Sequence, residues 1–345
     1  MNKLNLCVIF GGKSSEHEVS ILSATSVLNE IDKSKYNIHI IKIEKSGEWF
    51  YLGDGIDGGR GVPAIISPDS TDRGILIFAE GRTEKISIDV IFPILHGKLG
   101  EDGTIQGLFE LAEIPYVGSG VIGSAVCMDK CVAKILFKSA GIPQADWIEL
   151  RRAQQYSIAE IGEKLKFPCF IKPSNAGSSV GVSKANSREA LACAIDTAFL
   201  HDDKVLIEKF INGREVECSV MGNDNPTCAD ALGEIVPAND FYDYEAKYQD
   251  ENSKLIIPAN VSEDTAEKLK EYAVRAYKIC ECRGLSRVDF FVEKNTGEIF
   301  LNEINTLPGF TSISMYPKMW KASGVEYKDL IDMLINFAIG GRRDG

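Results

Sequence analysis

Arg287, Asp289, Glu303 and Asn305 flank a short turn signal, Asn295-Thr296-Gly297, and their spacing is the strongest chemical signal in the chain. The runs Ser286 to Glu293 and Glu298 to Asn305 are apolar or alternating, so a loop of this type between them predicts a β-hairpin. With the loop centred on Thr296, residue 289 faces residue 303 and residue 287 faces residue 305, and all four share one face. Directly opposed carboxylates repel across a ladder, so a purely structural hairpin has no reason to pair them unless a cation lies between. Magnesium suits the set, because it takes oxygen ligands and shares its shell with substrate phosphates. The competing reading is a solvated face with an incidental ion pair through Arg287.

A second segment points the same way. Lys172 to Gly181 (KPSNAGSSVG) joins two strand-like runs and supplies small residues, hydroxyls and a lysine. Backbone amides in such a loop can surround phosphate oxygens while the lysine neutralises their charge. The lysine precedes the glycines, so this is not a P-loop, and a plain hairpin turn is the alternative.

These segments must be carried by an α/β framework. Leu4 to Phe10 reads as a buried strand broken by Gly11-Gly12, with a helix starting near Ser15 and Glu18 placed three residues on as in a capping box. No G-x-G-x-x-G follows, so no dinucleotide site is assigned. Strands are expected around 75 to 79 and 85 to 95, the second ending at His96-Gly97 before the glycine-bracketed acidic turn Gly100 to Gly107. Ser124 to Ser139 reads as one helix with Met128, Val132, Ile135 and Leu136 on one face, stopped by Gly141 and Pro143. Beyond it come strands at 167 to 172 and 204 to 210 around a helix at 187 to 200. Strands at 215 to 222 and 230 to 236, an irregular stretch at 241 to 253, a helix from about 262 to 282 and the hairpin complete the chain. The boundaries fall at 1–125, 126–213 and 214–345.

A chain of 345 residues exceeds one ordinary core. With 44% hydrophobic and 26% charged residues it has a globular composition, and no apolar run approaches the ~18 residues of a membrane span. The start lacks a charged-then-apolar leader, which points to the cytoplasm. Nine scattered cysteines, without metal-finger spacing, read as reduced and mostly buried thiols. A net charge of −12 argues against nonspecific nucleic-acid binding.

Seven blocks, in order, carry a resemblance. They are Gly11 to Ser20, His96-Gly97 with Gly100 to Gly107, Met128-Asp129-Lys130, Lys172 to Gly181, Tyr242 to Tyr248, Arg287-Val288-Asp289, and Glu303 through Ser314. Together they resemble the D-alanine-D-alanine ligases of the ATP-grasp superfamily, over nearly the full length. The resemblance implies a Rossmann-like N-terminal domain followed by a two-part ATP-grasp fold, and ATP-dependent joining of two D-alanines through a D-alanyl phosphate for peptidoglycan precursor synthesis.

The same resemblance implies roles for individual residues. Lys130, Lys172 and Ser179 would meet ATP phosphates, with Lys247 closing on the γ-phosphate. The stretch Glu208, Lys209 and Ile211 would meet adenine, and Glu215 the ribose. Asp289, Glu303 and Asn305 match ligands of two magnesium ions, for which manganese can substitute. Glu16 would hold the first D-alanine's amino group through a triad with Ser178 and Tyr248, and His96 would lie near that substrate. Ser314 and the Met315 amide would take the second substrate's carboxylate, while the Gly309 amide and Arg287 would stabilise the oxyanion. Read without the resemblance, Lys130 is an exposed helix lysine, Glu16 a helix-start carboxylate, His96 a structural histidine and Pro308-Gly309 a type II turn. Tyr248 follows the pattern of relatives whose acceptor is an amine, and a homodimer joined by N-terminal surfaces is implied. A noncatalytic nucleotide-binding module is the opposing reading, but it would need no oxyanion-stabilising arginine.

Overall fold

Leu4 to Phe10 does form a strand, and its alternating side chains feed two different cores. The structure is a computed structural model that describes residues 3–56, 59, 61–177, 180–236 and 254–341. The first unit runs β1 (Leu4–Gly11), α1 (His17–Glu30), β2 (Tyr36–Ile43), β3 (Trp49–Gly53), β4 (Val62–Ile66), β5 (Gly74–Ala79), β6 (Arg82–Ser87), β7 (Val90–Ile94), α2 (Thr104–Leu111) and α3 (Val121–Met128). Its seven strands lie in the order β6-β5-β4-β3-β2-β1-β7. Strand β1 pairs in parallel with β2 and β7, and the other pairings are antiparallel.

Two expectations are corrected in this unit. The stretch 85 to 95 is two strands, not one, because Ile88-Asp89 turns the chain from one edge of the sheet to the other. So short a link requires the sheet to curl until its edges meet. No capping box starts α1 either. Glu16 occupies the N-cap position with no side-chain cap, its amide donating instead to Ser14 Oγ at 3.1 Å, while Glu18 pairs outward with Lys45 at 2.8 Å. The Glu16 side chain is drawn inward to 6% exposure, a direction a solvent-facing box would not give it.

The second unit contains α4 (Lys130–Ser139), β8 (Trp147–Arg151), α5 (Ile158–Leu165), β9 (Cys169–Pro173), β10 (Ser183–Ala185), α6 (Arg188–Phe199) and β11 (Lys204–Lys209). Its antiparallel sheet has the order β10-β9-β11-β8. Cys169, Ile171, Val205 and Ile207 pack against Ile161, Leu165, Leu191 and Ile195 of α5 and α6. Period-2 alternation leaves Phe170, Lys172 and Glu208 on the opposite face.

The single helix expected over 124 to 139 is broken at Asp129, which takes an extended conformation and caps α4 by accepting the Val132 amide at 3.2 Å. The break changes which face is buried. Cys131, Ala133, Lys134 and Phe137 go inward, whereas Ile135, expected on the buried face, is 53% exposed. Asp129 also accepts Ser174 Oγ at 2.8 Å and pairs with Lys204, tying the helix start to the glycine loop.

The third unit comprises β12 (Gly213–Gly222), β13 (Thr227–Cys228), β14 (Gly233–Val236), β15 (Lys254–Ile256), α7 (Glu263–Ile279), β16 (Gly284–Glu293), β17 (Ile299–Asn305), α8 (Met315–Ala322) and α9 (Tyr327–Gly340). Val216, Val288, Phe290 and Leu301 form a core with Leu269 and Ala273 of α7 and with Ala133 and Phe137 of α4. Helices α8 and α9 turn back to the first unit. Their Met319, Leu330, Ile331 and Leu334 join Leu6, Val8, Phe10 and Phe92 in one core.

Candidate active site

Strands β16 and β17 form the expected hairpin, with Asp289 opposite Glu303 and Arg287 opposite Asn305. The ladder is not the symmetric one that a loop centred on Thr296 implies. Glu293 N–H bonds Glu298 O at 2.9 Å, which centres the loop between Asn295 and Thr296, and an irregularity between Asp289 and Phe290 absorbs the extra residue. Leu301 faces Phe290 and Glu303 faces Asp289, so Asn302 is the bulged residue, and two consecutive side chains reach the cleft side.

The carboxylates are held by cations of the chain. Arg287 grips Asp289 in bidentate fashion at 2.8 and 2.7 Å and reaches Glu217 at 3.1 Å. Burial alone would lower the guanidinium pKa, but Asp289 and Glu217 raise it well above its ordinary value. Glu303 lies 3.7 Å from Lys130, whose Nζ also donates to Ala176 O at 2.8 Å. Among the described residues no three His, Cys, Asp or Glu side chains gather as a metal cluster. The set is two carboxylates and Asn305, whose Oδ1 already accepts the Leu307 amide at 3.2 Å. Such hard, partly filled oxygen donors fit a divalent ion that completes its shell from phosphates.

The sheet of the second unit faces this hairpin. Lys172 Nζ lies 2.7 Å from Glu208 and donates to Asn302 Oδ1 at 3.2 Å. Glu208 also meets Lys134 at 2.6 Å. Burial would raise the Glu208 carboxyl, but the two lysines outweigh it and hold the pKa down at about 2. A cleft of about 1080 Å³ runs between the sheets.

Glu16 enters the cleft from the first unit and lies against two glycines. A Cβ on Gly97, whose φ is +75°, would strike the Glu16 carboxylate, and one on Gly177 would come within 2.7 Å of it. Gly97 is thus confined by its backbone as well as by this contact, and any side chain at Gly177 would displace the Glu16 carboxylate. Glu101 lies beside them, its Oε1 accepting the Gly97 amide at 3.0 Å, and burial together with the Glu16 charge pushes its carboxyl well up.

His96 commits both ring nitrogens within the protein. Nδ1 lies 3.0 Å from Leu307 O, which can only accept, so it carries the proton; Nε2 then accepts from Ser23 Oγ at 3.2 Å. Ser23 Oγ in turn accepts the Phe310 amide at 3.2 Å. Burial lowers the His96 pKa, which keeps the ring neutral. The turn so held carries Gly309, where a Cβ would come within 2.9 Å of Ser314 Oγ. Ser314 Oγ accepts the Thr311 amide at 3.0 Å and precedes α8, and the buried Met315 side chain leaves its amide at the helix start as the group a carboxylate can meet.

Of the residues expected from sequence, Glu16, His96, Lys130, Lys172, Glu208 and Lys209 line this one cleft. So do Ile211, Glu215, Arg287, Asp289, Glu303 and Asn305, together with Gly309, Ser314 and Met315. Ser178, Ser179, Lys247 and Tyr248 lie outside the described residues. Reasoning from sequence missed Glu217, Glu101, Asn302, Ser23 and Lys134. For Glu217 the i, i+2 spacing from Glu215 on a strand was an available signal; the bulge at Asn302 has none.

A family profile described as D-ala D-ala ligase N-terminus matches residues 5–119, and one described as D-ala D-ala ligase C-terminus matches residues 136–336. The chain is 55% identical to the D-alanine--D-alanine ligase of Ruminiclostridium cellulolyticum, covering 98% of this chain and 96% of that protein. It is 52% identical to that of Acetivibrio thermocellus with the same coverages. Among solved structures, the VanG D-Ala:D-Ser ligase from Enterococcus faecalis superposes with a TM-score of 0.88 at 39% identity, covering 98% of this chain and all of that one, 100%. The D-alanine-D-alanine ligase from Coxiella burnetii gives 0.85 at 35% identity, covering 98% of this chain and 96% of that one.

Proposed function

The chain belongs to the D-alanine–D-alanine ligase family, and from that membership we infer how its cleft joins two D-alanines with ATP in cell-wall precursor synthesis. The observation that carries the assignment of residues is that one cleft gathers cations from two sheets, a carboxylate pair and a held glycine turn. We divide the chain at 1–125, 126–213 and 214–345, and place the protein in the cytoplasm as a homodimer. No helix of the described residues is long and apolar enough to cross a membrane.

A carboxylate is a poor electrophile because its carbon sits between oxygens sharing a negative charge. The first D-alanine's carboxylate oxygen attacks the γ-phosphorus of ATP, ADP departs, and a D-alanyl phosphate forms. Lys130 and Lys172, with Ser179 and Lys247, hold phosphate charge during this transfer, while Glu208, Lys209 and Ile211 border the adenine and Glu215 the ribose. Asp289, Glu303 and Asn305 would hold two Mg²⁺, or Mn²⁺ in their place, which supply charge neutralisation on the transferring phosphoryl group. Glu16, with Ser178 and Tyr248, binds the ammonium group of the first substrate. Ser314 and the Met315 amide hold the second substrate's carboxylate, and its amine, neutral only after losing a proton from a pKa near ~8, attacks the acyl carbon. The Gly309 amide and Arg287 receive the oxyanion, phosphate leaves, and the dipeptide remains. His96 acts through the turn that it holds.

Likeness to the D-Ala:D-Ser ligase makes D-serine the second reading for the acceptor. The test is phosphate release from Mg-ATP with D-alanine, L-alanine, D-serine and D-lactate, singly and paired, with products weighed by mass spectrometry. D-Alanyl-D-alanine as the main product is expected. D-Alanyl-D-serine as the main product would transfer the assignment to the second reading, and no turnover with any pair would overturn both.

A further inference from the structure

Lys134 is 1% exposed and has no part in the steps above. A buried cation is costly unless paired, and the neutral pair Glu208–Lys172 would be complete without it. The chain nevertheless places Lys134 Nζ 2.6 Å from Glu208 Oε1 while Lys172 holds Oε2 at 2.7 Å. Gln144 fixes the residue from behind, its Nε2 donating to the Lys134 carbonyl at 2.8 Å and its Oε1 lying 3.5 Å from Nζ. Lys134 follows Lys130 by one helical turn on α4, so one helix face sends two cations to the site. One carboxylate between two lysines leaves a net charge of one, and the partner on the cleft side is Lys172, which lines the cleft as Lys134 does not.

We propose that Lys134 is a positioning residue for the nucleotide: by sharing Glu208 it keeps Lys172 from being spent in a closed pair with that carboxylate, so that more of its charge is directed at the phosphates of ATP. Without it, Lys172 would close into a neutral pair with Glu208. Glu208 stays ionised throughout, held down to about 2, so the arrangement does not depend on pH in the physiological range. The inference rests on the reading that Lys172 serves the phosphates.

The test uses the full-length protein and equilibrium titration calorimetry with Mg-ATP, Mg-ADP and adenosine, without D-alanine. Lys134→Met, which keeps the stem and removes the charge, should weaken ATP binding roughly tenfold and adenosine binding less than about twofold. In the double variant Lys134→Met/Glu208→Gln, where adenosine binding registers the loss of the Glu208 contact to adenine, the ATP-to-adenosine affinity ratio should return close to that of the parent protein. Equal weakening of ATP and adenosine by Lys134→Met, or a double variant whose ATP-to-adenosine ratio is no higher than that of Lys134→Met, would reduce Lys134 to a packing role and overturn the proposal. Should Lys134→Met fail to fold, Glu208→Gln alone decides: its ATP-to-adenosine affinity ratio should rise, and a fall would overturn the proposal. Lys172→Met separates the two readings, since unchanged ATP binding there would remove the phosphate role of Lys172 itself.

Discussion

Ser23 and His96 tie the turn that carries Gly309 to the first unit. His96, expected near the first D-alanine, lines the cleft, and its ring is fixed there by one nitrogen donating to Leu307 O and the other accepting from Ser23. Ser23 also receives the Phe310 amide, so the two residues clasp both sides of Gly309 to the first unit. Hydrogen-bonded placement of an oxyanion donor acts on the transition state more than on nucleotide binding. Ser23→Ala is therefore expected to lower kcat about tenfold with the KM for ATP changed less than about twofold. Steady-state phosphate release measures both, and an unchanged kcat would show that the turn stands without the clasp. The sequence marked His96 but could not assign its partners, because Ser23 and Leu307 reach it only through tertiary packing.

At the scale of elements, legibility depended on whether local rules and the fold agreed. The alternation in β9, β11 and β16 was plain, because one face of each meets a core and the other the cleft. Asp129 misled, since helical periodicity continued through it while its tie to Ser174 and Lys204 broke the helix. The pairing of Asp289 with Glu303 was reached through a symmetric ladder that the chain does not have. The true loop is offset and the bulge at Asn302 makes up the difference. Deleting Asn302 should then regularise the ladder and leave those two carboxylates opposed. The expected result is a folded protein with intact metal dependence and turnover reduced roughly tenfold through the lost contact to Lys172. Melting curves and Mg²⁺ titrations of activity check it; loss of metal dependence would mean that the bulge itself places Glu303.

The three-unit division proposed from loops and glycines is not respected by the cores. Helix α4 serves the third unit's core, and α8 and α9 serve the first unit's, contacts that involve residues far apart in sequence and leave no local pattern. The surface of the first unit bears Leu111 at 64% and Ile122 at 66% exposure, apolar residues that the proposed homodimer is expected to cover. Sedimentation velocity should give twice the 37.9 kDa of one chain, and Leu111→Asp/Ile122→Asp should shift it toward the single chain. A parent protein sedimenting as one chain would remove the dimer.

Because Leu330, Ile331 and Leu334 of the last helix complete the core beneath Leu6, Val8 and Phe10, the order of synthesis has a consequence. On the ribosome the opening strand emerges long before the helix that covers it, so the N-terminal unit cannot finish folding ahead of the C-terminal one. Nascent chains carry that bare apolar face until α9 has emerged, and a protein truncated before α9 is left with it permanently.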